Sequence, residues 1–249
     1  MPFDNARYFF LDLSIGYGLV SLGAGAGSHY VALYRTVDGG ITWVEVFSHE
    51  PGESKSLPES GSKNGITFRG VDHGWVGGAI PMEDHFYLHY TEDGGATWSL
   101  ETDISLPSEL SNAMLDVWQP IFISASSAYL PVRALSFDGE DGLLIYRSDD
   151  YGQTWTFQAY IKNGRAVDFI SLDEGWIATN LALYHSVDGG VTWSPRPAAG
   201  IPAGTSFLGI DFYDSQHGWV LATPDSDTWE PLIFYRTTDG GDNWEQVLP

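Results

Sequence analysis

The chain contains no cysteine, which excludes disulfide frameworks, thiolate metal sites and cysteine nucleophiles. Positive charge is scarce as well: 11 Lys and Arg stand against 33 Asp and Glu, a formal charge of −22. Such a chain repels a phosphate backbone and an anionic bilayer, so neither nucleic acid nor a membrane surface is an expected partner. Long apolar runs are missing, and no basic stretch precedes an apolar one. No transmembrane helix and no signal peptide is therefore expected, and no membrane insertion; an exported protein seen as its mature segment stays compatible with this. What the 249 residues do hold is 29 Gly, 13 Pro, 10 Trp, 13 Tyr and 13 Phe, enough for one large domain with a sizeable core.

Five segments share one pattern: Ser or Thr, any residue, Asp, any residue, Gly, two residues, Trp. The first is Thr36-Val-Asp38-Gly-Gly40-Ile-Thr-Trp43; the others run Thr91 to Trp98, Ser148 to Trp155, Ser186 to Trp193 and Thr237 to Trp244. The box aspartates Asp38, Asp93, Asp150, Asp188 and Asp239 follow one another by 55, 57, 38 and 51 residues, the length of a four-stranded unit. A second register lies upstream, where Gly16-Tyr17, Gly74-Trp75, Gly175-Trp176 and Gly218-Trp219 pair a glycine with an aromatic residue and Ala128-Tyr129 is the deviant copy. Six residues before each pair stands a phenylalanine: Phe10, Phe68, Phe122, Phe169 and Phe212.

Short apolar and aromatic runs bounded by Gly, Asp and Ser read as strands. In the fourth unit these are Ala166 to Leu172 (strand A), Gly175 to Thr179 (B), Leu181 to His185 (C) and a shorter D from Trp193. A four-stranded sheet cannot bury both faces alone, so neighbouring units must stack. The predicted fold is all-β, a single β-propeller over residues 1–249 with five four-stranded blades at about 1–48, 64–102, 119–161, 164–195 and 205–249. Each unit runs A to D in order and no strand from one terminus completes a blade at the other, so the ends either meet without a shared strand or belong to a larger ring or assembly.

The box falls between strands C and D and suits a tight hairpin. Its Asp can accept backbone N–H groups, its glycines supply positive φ, and its Ser or Thr adds a local bond. The closing tryptophans, Trp43, Trp98, Trp155, Trp193 and Trp244, offer a large apolar area to seal each blade. The box is thus read as a device of the fold.

These segments resemble Asp-box (BNR) repeats, and the combination of Phe, Gly-Trp and Asp-Gly-Gly-x-x-Trp resembles the photosystem II stability/assembly factor-like propellers. Similar boxes occur in sialidases, sortilin-type receptors and xyloglucan-degrading glycosidases. The resemblance implies a propeller fold, with boxes on the side away from the binding face, and it does not by itself imply a function. A sialidase-type site would need three converging arginines; Arg35, Arg147 and Arg236 sit immediately before three boxes, and Arg69, Arg133 and Arg165 are the irregular set considered for such a site.

Function is expected on the other face, where D–A and B–C loops vary in length and composition. Three B–C loops are acidic: Glu83-Asp84-His85; Asp138, Glu140 and Asp141; and Asp225 and Asp227 beside Trp229. Closely spaced carboxylates suit a hard cation such as Ca²⁺ or simply form solvated tips. Trp118, in the D–A loop Thr102 to Gln119, and Trp229 could each stack on a sugar ring or fold back onto a blade edge. Gly23 to His29 reads as a B–C loop, flexible over Gly23 to Gly27, and Asp168 and Asp211, near the start of strand A, either flank the channel mouth or cap backbone groups. The histidines show no metal spacing. The expectation is a non-catalytic recognition or scaffold module for protein or glycan in an extracytoplasmic compartment, with no required cofactor. The alternative is a glycoside-acting enzyme using loop carboxylates such as Asp84, Asp138 or Asp225.

Overall fold

The computed structural model describes residues 5–49, 56–80, 85–101, 104–110, 113–136, 141–224, 227–228 and 230–247. Five antiparallel sheets follow one another along the chain. The first is built from β1 (Ala6–Phe10), β2 (Gly16–Gly25), β3 (Ser28–Thr36) and β4 (Val44–Ser48), and the second from β5 (Ser62–Arg69), β6 (His73–Ala79), β7 (Tyr87–Thr91) and β8 (Ser99–Leu100). The third contains β9 (Ala113–Val117), β10 (Ile121–Phe122), β11 (Ala128–Ser136), β12 (Gly142–Ser148) and β13 (Thr156–Lys162). The fourth holds β14 (Gly164–Phe169), β15 (Gly175–Thr179), β16 (Leu183–Ser186) and β17 (Ser194–Arg196); the fifth holds β18 (Ser206–Phe212), β19 (Gly218–Thr223), β20 (Ile233–Thr237) and β21 (Glu245–Val247).

The six-residue spacing from Phe to Gly is the reach of the first hairpin. Phe169 pairs across it with Gly175, as do Phe10 with Gly16, Phe68 with Gly74 and Phe212 with Gly218. The phenylalanine ring lies over its glycine: a Cβ on Gly175 would stand 2.5 Å from the Phe169 ring. Glycine is there for the ring's close approach.

Alternation then sorts each sheet into two faces. In the fourth sheet, Trp176, Ala178 and Leu183 join Phe212, Val220 and Tyr235 of the fifth in one buried cluster. Val167, Phe169 and Ile177 join Tyr129, Leu143 and Ile145 of the third. Equivalent clusters bind the first sheet to the second and the second to the third, so the core is a series of inter-sheet layers.

Three local readings are corrected. The segment 102–119, expected as a D–A loop, contains a 3-10 turn (Ser108–Leu110) and β9, which pairs with the outer part of β11 while β10 pairs with its beginning. The innermost strand of the third sheet is therefore one strand interrupted at Trp118-Gln119-Pro120, where Pro120 has no N–H to give the ladder. The expected loop Gly23 to His29 contracts to a two-residue turn at Ala26 and Gly27, both at positive φ (51° and 81°), and the small residues before it still pair in the ladder. In the fourth sheet the first strand runs from Gly164 to Phe169 and not to Leu172, because the N–H groups of Ile170 and Ser171 turn onto the Glu174 carbonyl. Asp168 thus lies near the end of that strand.

Candidate functional site

The box geometry is the same in all five copies. The hydroxyls of Thr36, Thr91, Ser148, Ser186 and Thr237 donate to their aspartates at 2.8–2.9 Å. Each hydroxyl also accepts the N–H of a box glycine at 2.9–3.0 Å. The residue four beyond each aspartate, Thr42, Thr97, Thr154, Thr192 or Asn243, donates its N–H to one carboxylate oxygen and its side chain to the other. That threonine, present in four of five boxes, was visible in the sequence and is a second anchor of the turn. The bonds from Thr42 and Thr36 hold Asp38 down at about 2, and those from Asn243 and Thr237 do the same for Asp239. The indole N–H groups of Trp43, Trp98, Trp193 and Trp244 close the turns onto the carbonyls of Gly40, Gly95, Gly190 and Gly241. Trp155 lacks this bond.

Of the expected loop residues, Glu83, Asp84, Asp138, Glu140, Asp225 and Trp229 lie outside the described residues. The others are spread over three sheets. His85 lines an apolar cleft of about 400 Å³ with Phe86, Ile104 and Leu106. Trp118 is half-buried and packs against the cluster between the third and fourth sheets. Asp141 faces Arg133 at 3.7 Å, and Asp227 is exposed. Among the described residues no group of three or more His, Asp or Glu side chains could hold a metal ion. The arginine set does not converge either. Burial, and then the charge of Arg133, push Arg165 below the ordinary arginine value, whereas Arg69 lies against the Tyr151 ring at a box, 4.8 Å from its centroid. Asp168 accepts the Phe212 N–H of the next sheet at 2.8 Å, and burial raises its pKa.

The most distinctive polar site was not anticipated. A cleft of about 630 Å³ opens between the first two sheets, lined by Asn5, Arg7, Ser21, His29, Lys63 and Asn64 among others. Lys63 is one of three lysines and is buried; its ammonium donates to the carbonyls of His29, Glu59, Ser60 and Gly61 at 2.9–3.2 Å. Burial lowers its pKa to about 8, so it stays charged at neutral pH. His29 Nδ1 accepts the Lys63 N–H at 3.1 Å, which leaves Nε2 to donate to Ser21 Oγ at 2.9 Å. Burial and the Lys63 charge lower the His29 pKa and keep that ring neutral. Arg7 is exposed at the cleft and has no carboxylate partner among the described residues. Sequence alone could have flagged only the rarity of lysine and arginine in this chain.

A sequence profile of the family described as "Photosynthesis system II assembly factor YCF48" matches residues 153–248. A curated relative, photosystem II assembly protein Ycf48 of Synechococcus sp. (strain JA-2-3B'a(2-13)), is 26% identical over 213 residues, 81% of this chain and 54% of that protein. The chain thus spans about half the length of the curated relative it matches. Among solved structures, one described as YCF48 bound to D1 peptide superposes with a TM-score of 0.51 at 18% identity, covering 98% of this chain and 82% of that one. The chain is an Asp-box β-propeller resembling the photosystem II assembly factors. A xyloglucanase of Xanthomonas campestris shares the propeller fold at 15% identity, with a TM-score of 0.61, covering 95% of this chain and 37% of the enzyme. The same scaffold therefore carries different functions, and the identity of this propeller's site rests on its own residues.

Proposed function

We propose that the chain is a non-catalytic recognition propeller that binds protein outside the cytoplasm, taking a segment of its partner on the loop face at the cleft floored by Arg7, His29 and Lys63. One observation carries this reading: in a chain of formal charge −22, Arg7 is open to solvent in a polar cleft that is also lined by the buried Lys63. A locally cationic spot on an acidic protein selects for a carboxylate, either a side chain or a chain terminus. Ser21, Asn5 and Asn64 line the same cleft and match the hydrogen-bonding groups of a peptide backbone. The relatives point in the same direction, one being a photosystem II assembly protein and another having been solved with a D1 peptide bound. The box carboxylates are engaged by their own turns, which suits a supporting role.

The test is fluorescence anisotropy with a labelled D1 peptide and with a panel of peptides ending in acidic residues. The native chain is expected to bind at least one, and Arg7→Glu to weaken that binding by about tenfold or more at an unchanged melting temperature. Peptides that bind both proteins equally, or neither, would remove the cleft from the function. A glycan array in calcium and in EDTA is expected to stay blank; a calcium-dependent hit would move the function to the acidic loops.

A further inference from the structure

The inter-sheet junction is built by one rule. The aromatic residue after the glycine of each pair (after Ala128 in the third sheet) lies on the phenylalanine of the following sheet: Tyr17 on Phe68, Tyr129 on Phe169 and Trp176 on Phe212, parallel to within 8° at 3.5–3.8 Å, with Trp75 on Phe122 a tilted version. The polar tip then reaches on to the next sheet's turns. Tyr17 and Tyr129 donate to the carbonyls of Val71 and Leu172, and the Trp176 indole donates to that of Gly240. The stack is made at four junctions and the tip bond at three of them, the Trp75 indole N–H being without a hydrogen-bond partner; two half-junctions are left over.

On the last sheet Trp219, which follows the same glycine, is 40% exposed and has no ring contact among the described residues, whereas Tyr17, Tyr129 and Trp176 are at most 1% exposed. Phe234 beside it is also exposed. On the first sheet Phe10, in the position of Phe68 and Phe169, is 45% exposed, and its one ring contact among the described residues is with Trp43 of its own sheet. Leu13, which corresponds to Val71 and Leu172, is the most exposed large apolar residue among the described ones. Trp219 stands in a cross-strand row with the exposed Asp211, Arg236 and Glu245, the last two paired with each other, so it is the one large apolar side chain of that row, and Phe10 is the ring that matches it.

We propose that these faces form a fifth junction between two copies of the chain, with Trp219 of one copy stacked on Phe10 of the next. The occupant is a second copy because the site to which Trp219 is matched by four internal precedents is present on this chain and is itself empty of a partner ring. The contact is head-to-tail: two different faces meet, so each copy keeps one face free unless a ring of copies closes. This inference is independent of the peptide cleft, which lies between the first and second sheets.

The experiment is sedimentation velocity on the 249-residue chain over a concentration series at low salt and at about 0.5 M salt, where repulsion between two strongly acidic copies is screened. The mass is expected to rise with concentration to at least twice the monomer value, more readily at high salt. Trp219→Asp and Phe10→Asp, both on exposed faces and checked for folding by their melting curves, should each be monomeric alone. An equimolar mixture should restore a 1:1 dimer, because one variant keeps the Phe10 face and the other keeps the Trp219 face. A native chain that is monomeric throughout, a self-association that survives either substitution, or a mixture that fails to pair would each overturn the proposal.

Discussion

Phe122 pairs across its hairpin with Ala128, where the other four sheets place glycine under the phenylalanine ring, and there alone the inter-sheet stack is tilted. Trp75 and Phe122 meet at 4.9 Å and 42°, against 3.5–3.8 Å and no more than 8° for the three parallel pairs. An alanine Cβ occupies the space into which the ring would settle, and the neighbour's ring follows. Gly175→Ala should therefore lift Phe169 off its strand, tilt its stack with Tyr129, and cost about 1–3 kcal/mol by overpacking. Urea denaturation reads the cost. An unchanged midpoint would show that the glycine is not needed for packing.

The box hydroxyl is a better probe of the turn than the exposed carboxylate. Ser186 is buried, donates to Asp188 at 2.9 Å and accepts the buried Gly190 N–H at 2.9 Å. Ser186→Ala leaves that N–H unpaired and should cost about 1–3 kcal/mol, while Ser186→Thr, the residue of three other boxes, should be close to neutral. Peptide binding per folded molecule is expected to stay the same in both. Loss of binding at full stability would mean the box is part of the site.

Acid should dissolve the boxes together. The folded-state pKa values of Asp38 and Asp239 are depressed to about 2 by the hydrogen bonds their carboxylates accept. A depressed carboxylate contributes stability that is fully present above its unfolded value, about 4, and is lost as pH falls through the folded value. The stability curve should thus fall steeply between about pH 4 and pH 2. Asp38→Asn and Asp239→Asn, each reducing the proton uptake in that window, should flatten it in proportion. A slope unchanged in the double variant would exclude the boxes as its source.

The repeat was legible because two short patterns recur in a fixed order, and each has a local physical cause. The box is closed by residues within eight positions of one another, and the Phe-to-Gly spacing is one hairpin. The interrupted inner strand of the third sheet was hidden because β9 and β10 are separated by Trp118-Gln119-Pro120, which reads as loop composition. The Arg7 and Lys63 cleft was hidden for a different reason: Arg7 enters on β1, His29 at the tip of the β2–β3 hairpin and Lys63 on β5. No spacing in the sequence encodes their meeting. Arg7 and Trp219 each sit in a repeat whose pattern explains their neighbours, so their distinctive exposure emerges only from the packing.

His89 sets a second pH window, distinct from that of the boxes. It is 4% exposed, lies against the Tyr87 ring at 4.6 Å, and its Nδ1 has no hydrogen-bond partner. Burial first, and the Lys63 charge second, lower its pKa from 6.5 to about 4. Between those values the unfolded chain binds a proton that the folded chain refuses, so stability falls as pH drops from 6.5 towards 4. The difference corresponds to about 3 kcal/mol across the window. His89→Leu removes the titration and the orphaned ring nitrogen, so it should be neutral or stabilising at pH 7.5 and should flatten the decline above pH 4 by about that amount. Urea midpoints of both proteins at pH 7.5 and at pH 5 decide it. Parallel shifts would mean that His89 takes up its proton in the folded state as readily as in the unfolded one.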